Sequence, residues 1–183
     1  LIVIGLDIST SVTAYSIMNT ELPLGQRLLK SDGIHLSKIK DSYRKSCKVR
    51  ETFLEIDNEF KIDKIVVEES LQSFRMGMSS AKTLSALTRF NGIISFLAED
   101  IFQTDCERIN VNSARKRLSI KIDKKSDISS KDQVRNWVME HKDFRSFKWP
   151  TKTLKSGPRK GQTVYDASCQ DIADSAVMAL CVM

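Results

Sequence analysis

Histidine is nearly missing from this chain. Of 183 residues only His35 and His141 are histidine, they stand far apart, and the four cysteines (Cys47, Cys106, Cys169, Cys181) show no CxxC spacing. A zinc site is therefore not expected. Each cysteine lies in a segment that reads as a regular core-forming element, so reduced thiols of an intracellular protein are expected rather than two disulfides. Long apolar runs are also lacking. The N-terminal one covers residues 1–6 before Asp7 interrupts it, too short for a signal h-region and without a basic n-region, and no stretch approaches a membrane span. A soluble protein with no membrane contact is expected. The chain begins without Met, so a few leading residues are expected ahead of Leu1. Internal repeats, low-complexity tracts and shifts in composition are absent as well, which leaves one domain over residues 1–183.

What is present is ordinary for a globular core: 41% hydrophobic and 28% charged residues. The net charge of +6 and a pI of about 9.2 are compatible with a polyanionic partner, although by themselves they speak only to solubility and non-specific association.

Residues 1–8 form an apolar, β-branched run that reads as a strand buried on both faces, and residues 12–18 a second strand after the Ser9-Thr10-Ser11 turn. Residues 27–36 supply a third strand, interrupted at Asp32-Gly33. A helix is predicted over 41–60, with Cys47, Phe53, Leu54 and Phe60 at helical spacing. A short, central-looking strand follows at 62–69, then a helix over 79–102 carrying Leu84, Leu87, Ile94 and Leu97. Residues 106–111 give another strand, followed by a helix opened by Asn112-Ser113. Ser130-Lys-Asp-Gln133 has a capping-box pattern and starts the next helix; the last runs from about Ser168 to the end. The order βββαβαβααα suits an α/β fold with a mixed sheet, three antiparallel strands and then parallel ones, flanked by helices.

Residues 142–165 hold Pro150, Gly157, Pro158 and Gly161 with little periodicity, and read as a long loop. This stretch has seven Lys or Arg against the single acid Asp143, a surplus of +6 that equals the net charge of the whole chain. It is either a solvated connection or a basic arm in which Lys152, Lys155, Arg159 and Lys160 contact phosphates.

Four acids stand out. Asp7 closes the first strand, Glu68 closes the apolar run Ile65-Val-Val, and Asp171 and Asp174 lie three apart on the last helix. Asp7 alone could cap a turn through Ser9 or Thr10, and acids early in a helix serve its dipole. Glu68 and Glu69 point to opposite faces of a strand, so at most one faces the cluster. An acid ending a buried strand is costly unless neutralised, and a divalent metal is the cheapest neutraliser. Magnesium prefers a few carboxylates with water and phosphate oxygens. Two sheet-end acids and a helix-borne pair are what a two-metal nuclease needs, since ions about 4 Å apart can both touch one scissile phosphate.

These residues resemble the RuvC-type Holliday junction resolvases of the RNase H-like superfamily. Val3-Ile-Gly-Leu-Asp-Ile-Ser-Thr-Ser-Val-Thr-Ala-Tyr-Ser-Ile17 is similar to the family's first hairpin, Val66-Val-Glu68-Glu to its apolar-Ile-Glu-Gln motif, and Asp171-Ile-Ala-Asp174-Ser-Ala176 to its closing Asp-Ala-Ala-Asp-Ala helix. Thr83 to Gly92 resembles the helix ending in Ala-Arg-Gly, Ser113-Ala-Arg-Lys116 falls where the family has a basic helix, and Lys131-Asp-Gln-Val134 resembles Lys-Ser-Gln-Val. Ile8-Ser9 replaces the usual Pro-Gly, Glu69 replaces Gln, and the 142–165 segment is longer than its counterpart, as in a divergent viral or organellar branch.

The resemblance implies a magnesium-dependent crossover junction endodeoxyribonuclease of DNA recombination and repair, with manganese able to substitute. It implies Asp7, Glu68, Asp171 and Asp174 as catalytic ligands of two ions, and Lys116 and Lys131 as phosphate contacts or transition-state stabilisers. It implies branched DNA, four-way junctions above all, as the partner, and a homodimer whose two sites match a two-fold junction. Leu84, Leu87, Phe90 and Ile94 form either the expected dimer surface or plain core. Phe74, Arg75, Met76 and Met78 form either a loop that enters the junction and unstacks bases or a surface loop with no such role. Three rivals share parts of the pattern: an RNA-cutting or flap-cutting RNase H-like nuclease, an inactive nucleic-acid-binding module, and a fragment of an actin-like or sugar-kinase ATPase. The last resembles Gly5-Leu-Asp-Ile-Ser-Thr-Ser but lacks a later Gly-rich adenosine motif.

Overall fold

The computed structural model describes residues 1–69 and 81–183. Phe74, Arg75, Met76 and Met78 lie outside the described residues, as does the expected helix start at Ser79. Strands β1 (Ile2–Ile8), β2 (Val12–Asn19) and β3 (Leu28–His35) form an antiparallel meander, and β4 (Lys64–Glu68) and β5 (Cys106–Ile109) extend it in parallel. The sheet order is β3-β2-β1-β4-β5, the mixed sheet expected from the sequence. β3 runs unbroken through Asp32 and Gly33, which pair with Tyr15 and Ala14; the irregularity lies at Ile17/Met18 instead.

Helices cover both faces. α1 (Ser42–Glu59) and α2 (Ala81–Phe102) pack on the face carrying Ile4, Leu6, Ile65 and Val67; α3 (Val111–Arg117), α4 (Ser130–Glu140) and α5 (Ser168–Leu180) pack on the face carrying Val3 and Val66. Two apolar layers therefore sandwich the sheet, which explains why β1 and β4 read as continuous apolar runs rather than alternating ones. Among the described residues, no helix is long and apolar enough to cross a membrane. All four cysteines are free thiols, with Cys169 and Cys181 buried.

Several expected details move. α1 starts at the cap Asp41, whose carboxylate accepts the Arg44 N–H, but it buries Ser46, Val49, Phe53 and Ile56; of its four expected apolar positions only Phe53 is buried. Asn110, two residues before the expected cap, opens α3 by accepting from Asn112 N–H. Ser129 rather than Ser130 caps α4, and it exchanges hydrogen bonds with Asp132. Gln133 turns back to hold the preceding loop through Asp123 and Ile128. On α2, Phe90 and Ile94 are buried in the core, so they cannot form the expected dimer surface; Ile93 (42%) and Phe96 (63%) are the exposed apolar side chains of that helix.

The 142–165 segment is not an unstructured loop. A 3-10 turn (Lys142–Phe144) is followed by a two-stranded antiparallel sheet of its own, β6 (Thr151–Thr153) and β7 (Thr163–Tyr165). Asp143 is fully buried in the turn. Its carboxylate accepts hydrogen bonds from Gly25 N, Arg27 N and the Arg27 guanidinium, tying α4 to the β2–β3 connection.

Candidate active site

Strand parity sets the site. Val3 faces α5, so Gly5 and Asp7, two and four residues on, share that face. In β4, Val66 faces the same helix, and Glu68 two residues later does too, whereas Glu69 has the opposite parity. The parallel register pairs Leu6 with Val67, which leaves Asp7 and Glu68 side by side at the C-terminal ends of adjacent strands. That edge is where ligands commonly bind in parallel sheets.

Gly5 lets α5 lie directly on β1. A Cβ there would overlap the Ser175 carbonyl oxygen and the Ala179 nitrogen. This close approach brings Asp171 and Asp174, on the preceding turn of α5, over the ends of β1 and β4. Asp166 fixes where the helix begins by accepting from the Ser168 backbone N–H and hydroxyl. The four acids then repel one another. Burial raises the Asp7 carboxyl well above the usual range, and Asp174, Glu68 and Asp171 raise it further. Burial and Asp174 raise Glu68. Burial pushes Asp171 up to about 6 despite the pull of Lys131, and burial raises Asp174 despite Arg115 and Lys131.

Lys131 and Arg115 oppose this surplus, and His35 adds to the pull on Asp171. Lys131, in the first turn of α4, lowers all four carboxyls and lines a cleft of about 300 Å³ with Asp7, Ser9, Glu68, Glu69 and Asn91. Arg115 holds its Nη2 3.5 Å from Asp174 Oδ1 and also lowers Glu68. Arg115 is absent from the sequence-predicted set, which took the exposed Lys116 next to it. The signal was available: Val111, Ala114 and Leu118 form the apolar stripe of α3, and Arg115, one turn after Val111, borders it.

The structure thus brings Asp7, Glu68, Asp171, Asp174 and Lys131 together. Lys116 is exposed on α3; Lys152, Lys155, Arg159 and Lys160 lie on the β6–β7 segment; Arg75 is outside the described residues. The hard carboxylate oxygens of half-buried Asp7, Glu68 and Asp171 and of buried Asp174 suit a divalent cation such as magnesium. Among the described residues, however, no three His, Cys, Asp or Glu side chains are grouped closely enough to hold an ion in this structure.

No protein-family model matches the sequence, and no curated protein matches it. Solved structures do. Thermus thermophilus RuvC in complex with a Holliday junction substrate aligns over 99% of this chain and 91% of its own, with a TM-score of 0.61 at 15% identity. Another T. thermophilus RuvC structure aligns over 99% and 92%, with a TM-score of 0.59 at 17% identity. The yeast mitochondrial Holliday junction resolvase aligns over 98% of this chain and 76% of its own, with a TM-score of 0.51 at 15% identity. At such identities the shared property is the fold: the chain has a RuvC-type fold.

Proposed function

We propose that this chain is a structure-selective DNA endonuclease that resolves four-way junctions by metal-dependent phosphodiester hydrolysis, in DNA recombination and repair. The observation that carries the proposal is the convergence of Asp7, Glu68, Asp171 and Asp174 with Lys131 at the strand ends of a RuvC-type fold. A structural role for these acids is a poor alternative, because their mutual repulsion costs stability.

Asp7, Glu68, Asp171 and Asp174 would hold the cations. Magnesium, with manganese as a substitute, supplies there an activated water and stabilisation of the leaving oxygen. Lys131, which opens into the same cleft, binds a non-bridging phosphate oxygen and offsets charge that grows on the phosphate in the transition state. Arg115 acts as a positioning residue that orients Asp174. Leu84, Leu87, Thr88 and Asn91 of α2 line the same cleft. In-line attack leaves a 5′ phosphate and a 3′ hydroxyl.

Resolution requires two matched nicks, which a two-fold dimer delivers. Ile93 and Phe96, exposed on α2 beside Gly92, are the apolar residues available to pair with a second copy. The direct test is cleavage of a synthetic four-way junction in magnesium by Asp7→Asn and Asp174→Asn. Both variants are expected to bind and not cut; cutting at the wild-type rate by either would refute the site. Competition with an RNA–DNA hybrid and a flap substrate separates junction resolution from the other RNase H-like activities.

A further inference from the structure

The β6–β7 arm belongs to neither apolar layer. Residues 151–153 are exposed, as are Thr163 and Tyr165 on the facing strand, so both faces of the hairpin meet solvent. An isolated two-stranded hairpin is marginal in water. This one is held at its base: Asp166 N–H donates to the Pro150 carbonyl at 2.9 Å, and the Cys169 thiol donates to the same oxygen at 3.1 Å. Lys152 Nζ stands 3.4 Å from Asp166, and the Arg135 guanidinium lies 5.4 Å from the Tyr165 ring centroid. At the far end the chain turns through Gly161 (φ 87), whose N–H donates to the Leu154 carbonyl.

These anchors lie on the elements that build the acidic site. Asp166 also starts α5, five residues before Asp171. Arg135 is one turn along α4 from Lys131, on the same face, and is held in place by Asp132 at 2.7 Å. Lys131 and Arg135 on α4 are followed on the arm by Lys152, Lys155, Arg159 and Lys160; Asp132 and Asp166 pair with Arg135 and Lys152, while residues 151–165 contain no acid. Tyr165 is 50% exposed with a guanidinium against its ring. Among the described residues of the arm it is the one exposed large apolar side chain, too little for a protein interface, whose centre is apolar and depleted in charge.

We propose that the arm is a second DNA contact that grips a strand leaving the acidic site: its lysines and Arg159 hold the phosphate backbone, and Tyr165 stacks on a base unpaired at the branch point. The inference rests on the nuclease reading above and adds the element that holds the branch.

The experiment is anisotropy of a labelled four-way junction with the full chain, calcium replacing magnesium, across a salt series. Losing three phosphate contacts in Lys155→Glu/Arg159→Glu/Lys160→Glu should flatten the slope of log K against log salt by about 3 and weaken binding at least about tenfold. Tyr165→Ala should weaken binding about tenfold with the slope unchanged, and Tyr165→Phe should bind as wild type. A chain in which an Asn-Gly turn joins Thr153 directly to Thr163 should match the triple variant. Its thermal midpoint should be that of wild type, because the arm lies outside both cores. If wild type binds and cuts junctions while the triple and shortened variants bind equally well with the same slope, the arm proposal fails and the nuclease reading stands. If Tyr165→Ala binds as wild type, stacking is refuted. A wild-type chain that neither binds nor cuts branched DNA overturns both readings.

Discussion

Gly5 on β1 and Ala179 on α5 are in backbone contact: a Cβ on Gly5 would stand 3.0 Å from the Ala179 Cα and closer still to its nitrogen. No side-chain rotation relieves such an overlap, so Gly5→Ala must push α5 off the sheet. The expected cost is about 3 kcal/mol, read by urea unfolding. Because α5 carries Asp171 and Asp174, cleavage should fall far more than the folded fraction does. A variant of wild-type stability and activity would show that the helix can lift without disturbing the acids.

The acidic cluster opposes folding. Its carboxyls are raised by burial and mutual repulsion, Asp171 to about 6, so the folded state binds more protons than the unfolded chain between the ordinary value of 3.8 and that point. The contribution of Asp171 is thus most favourable below pH 3.8 and is lost as pH rises through about 6, and Asp7, Glu68 and Asp174 shift in the same direction. In chelator, Asp7→Asn should melt about 2–4 °C above wild type at pH 7, with the gap closing toward pH 4, while losing cleavage. Calorimetry at both pH values checks this; a destabilised Asp7→Asn would mean that the acid makes a favourable contact.

Divalent ions should reverse that cost. Magnesium or calcium at about one hundred times its dissociation constant should stabilise wild type by about 2.7 kcal/mol, and Asp174→Asn by much less. Equal stabilisation of both proteins in thermal shift would place the ions elsewhere.

The buried Arg27–Asp143 pair has the opposite sign. Burial alone would raise Asp143, but the Arg27 guanidinium and the Gly25 and Arg27 backbone N–H groups hold it below the usual carboxylate range. Its contribution is present above pH 3.8 and is lost as pH falls through the lower folded value. Arg27→Met should cost about 3 kcal/mol at pH 7, and less at pH 3, where Asp143 is protonated in both unfolded chains and, having lost its guanidinium partner, in the folded variant. Denaturant midpoints at pH 7 and pH 3 measure the difference.

The dimer proposal turns on α2. Ile93→Asp with Phe96→Asp should give a monomer by light scattering, still folded because both side chains are exposed, and should convert paired junction cleavage into single nicks. A dimer that survives the double substitution would move the interface off this helix.

Much of this fold and site was legible in the chain because it is written locally. Apolar runs marked β1, β2 and β4 whatever packs on them, and an acid at the end of such a run is conspicuous by its desolvation cost. The β6–β7 arm was not legible, since three-residue strands, Thr-Lys-Thr and Thr-Val-Tyr, are too short to carry a periodic signal and owe their geometry to anchors on α4 and α5. The cap of α3 misled for a related reason: Asn110 and Asn112 are both good cap types, and only the burial of Val111 and Ala114 chooses between them.

The sequence alone determined the order of the five strands of the main sheet and of the helices around it, the mixed sheet and the free cysteines, all of which follow from residue type and spacing. Tertiary structure decided which acids meet. Glu68 rather than Glu69 faces α5 because of strand parity and the Leu6–Val67 register, and Arg115 rather than Lys116 reaches Asp174 because of the phase at which α3 buries its stripe. Parity, register and helix phase are set by what each element packs against, and electrostatic repulsion among side chains distant in sequence arises only once that packing is made.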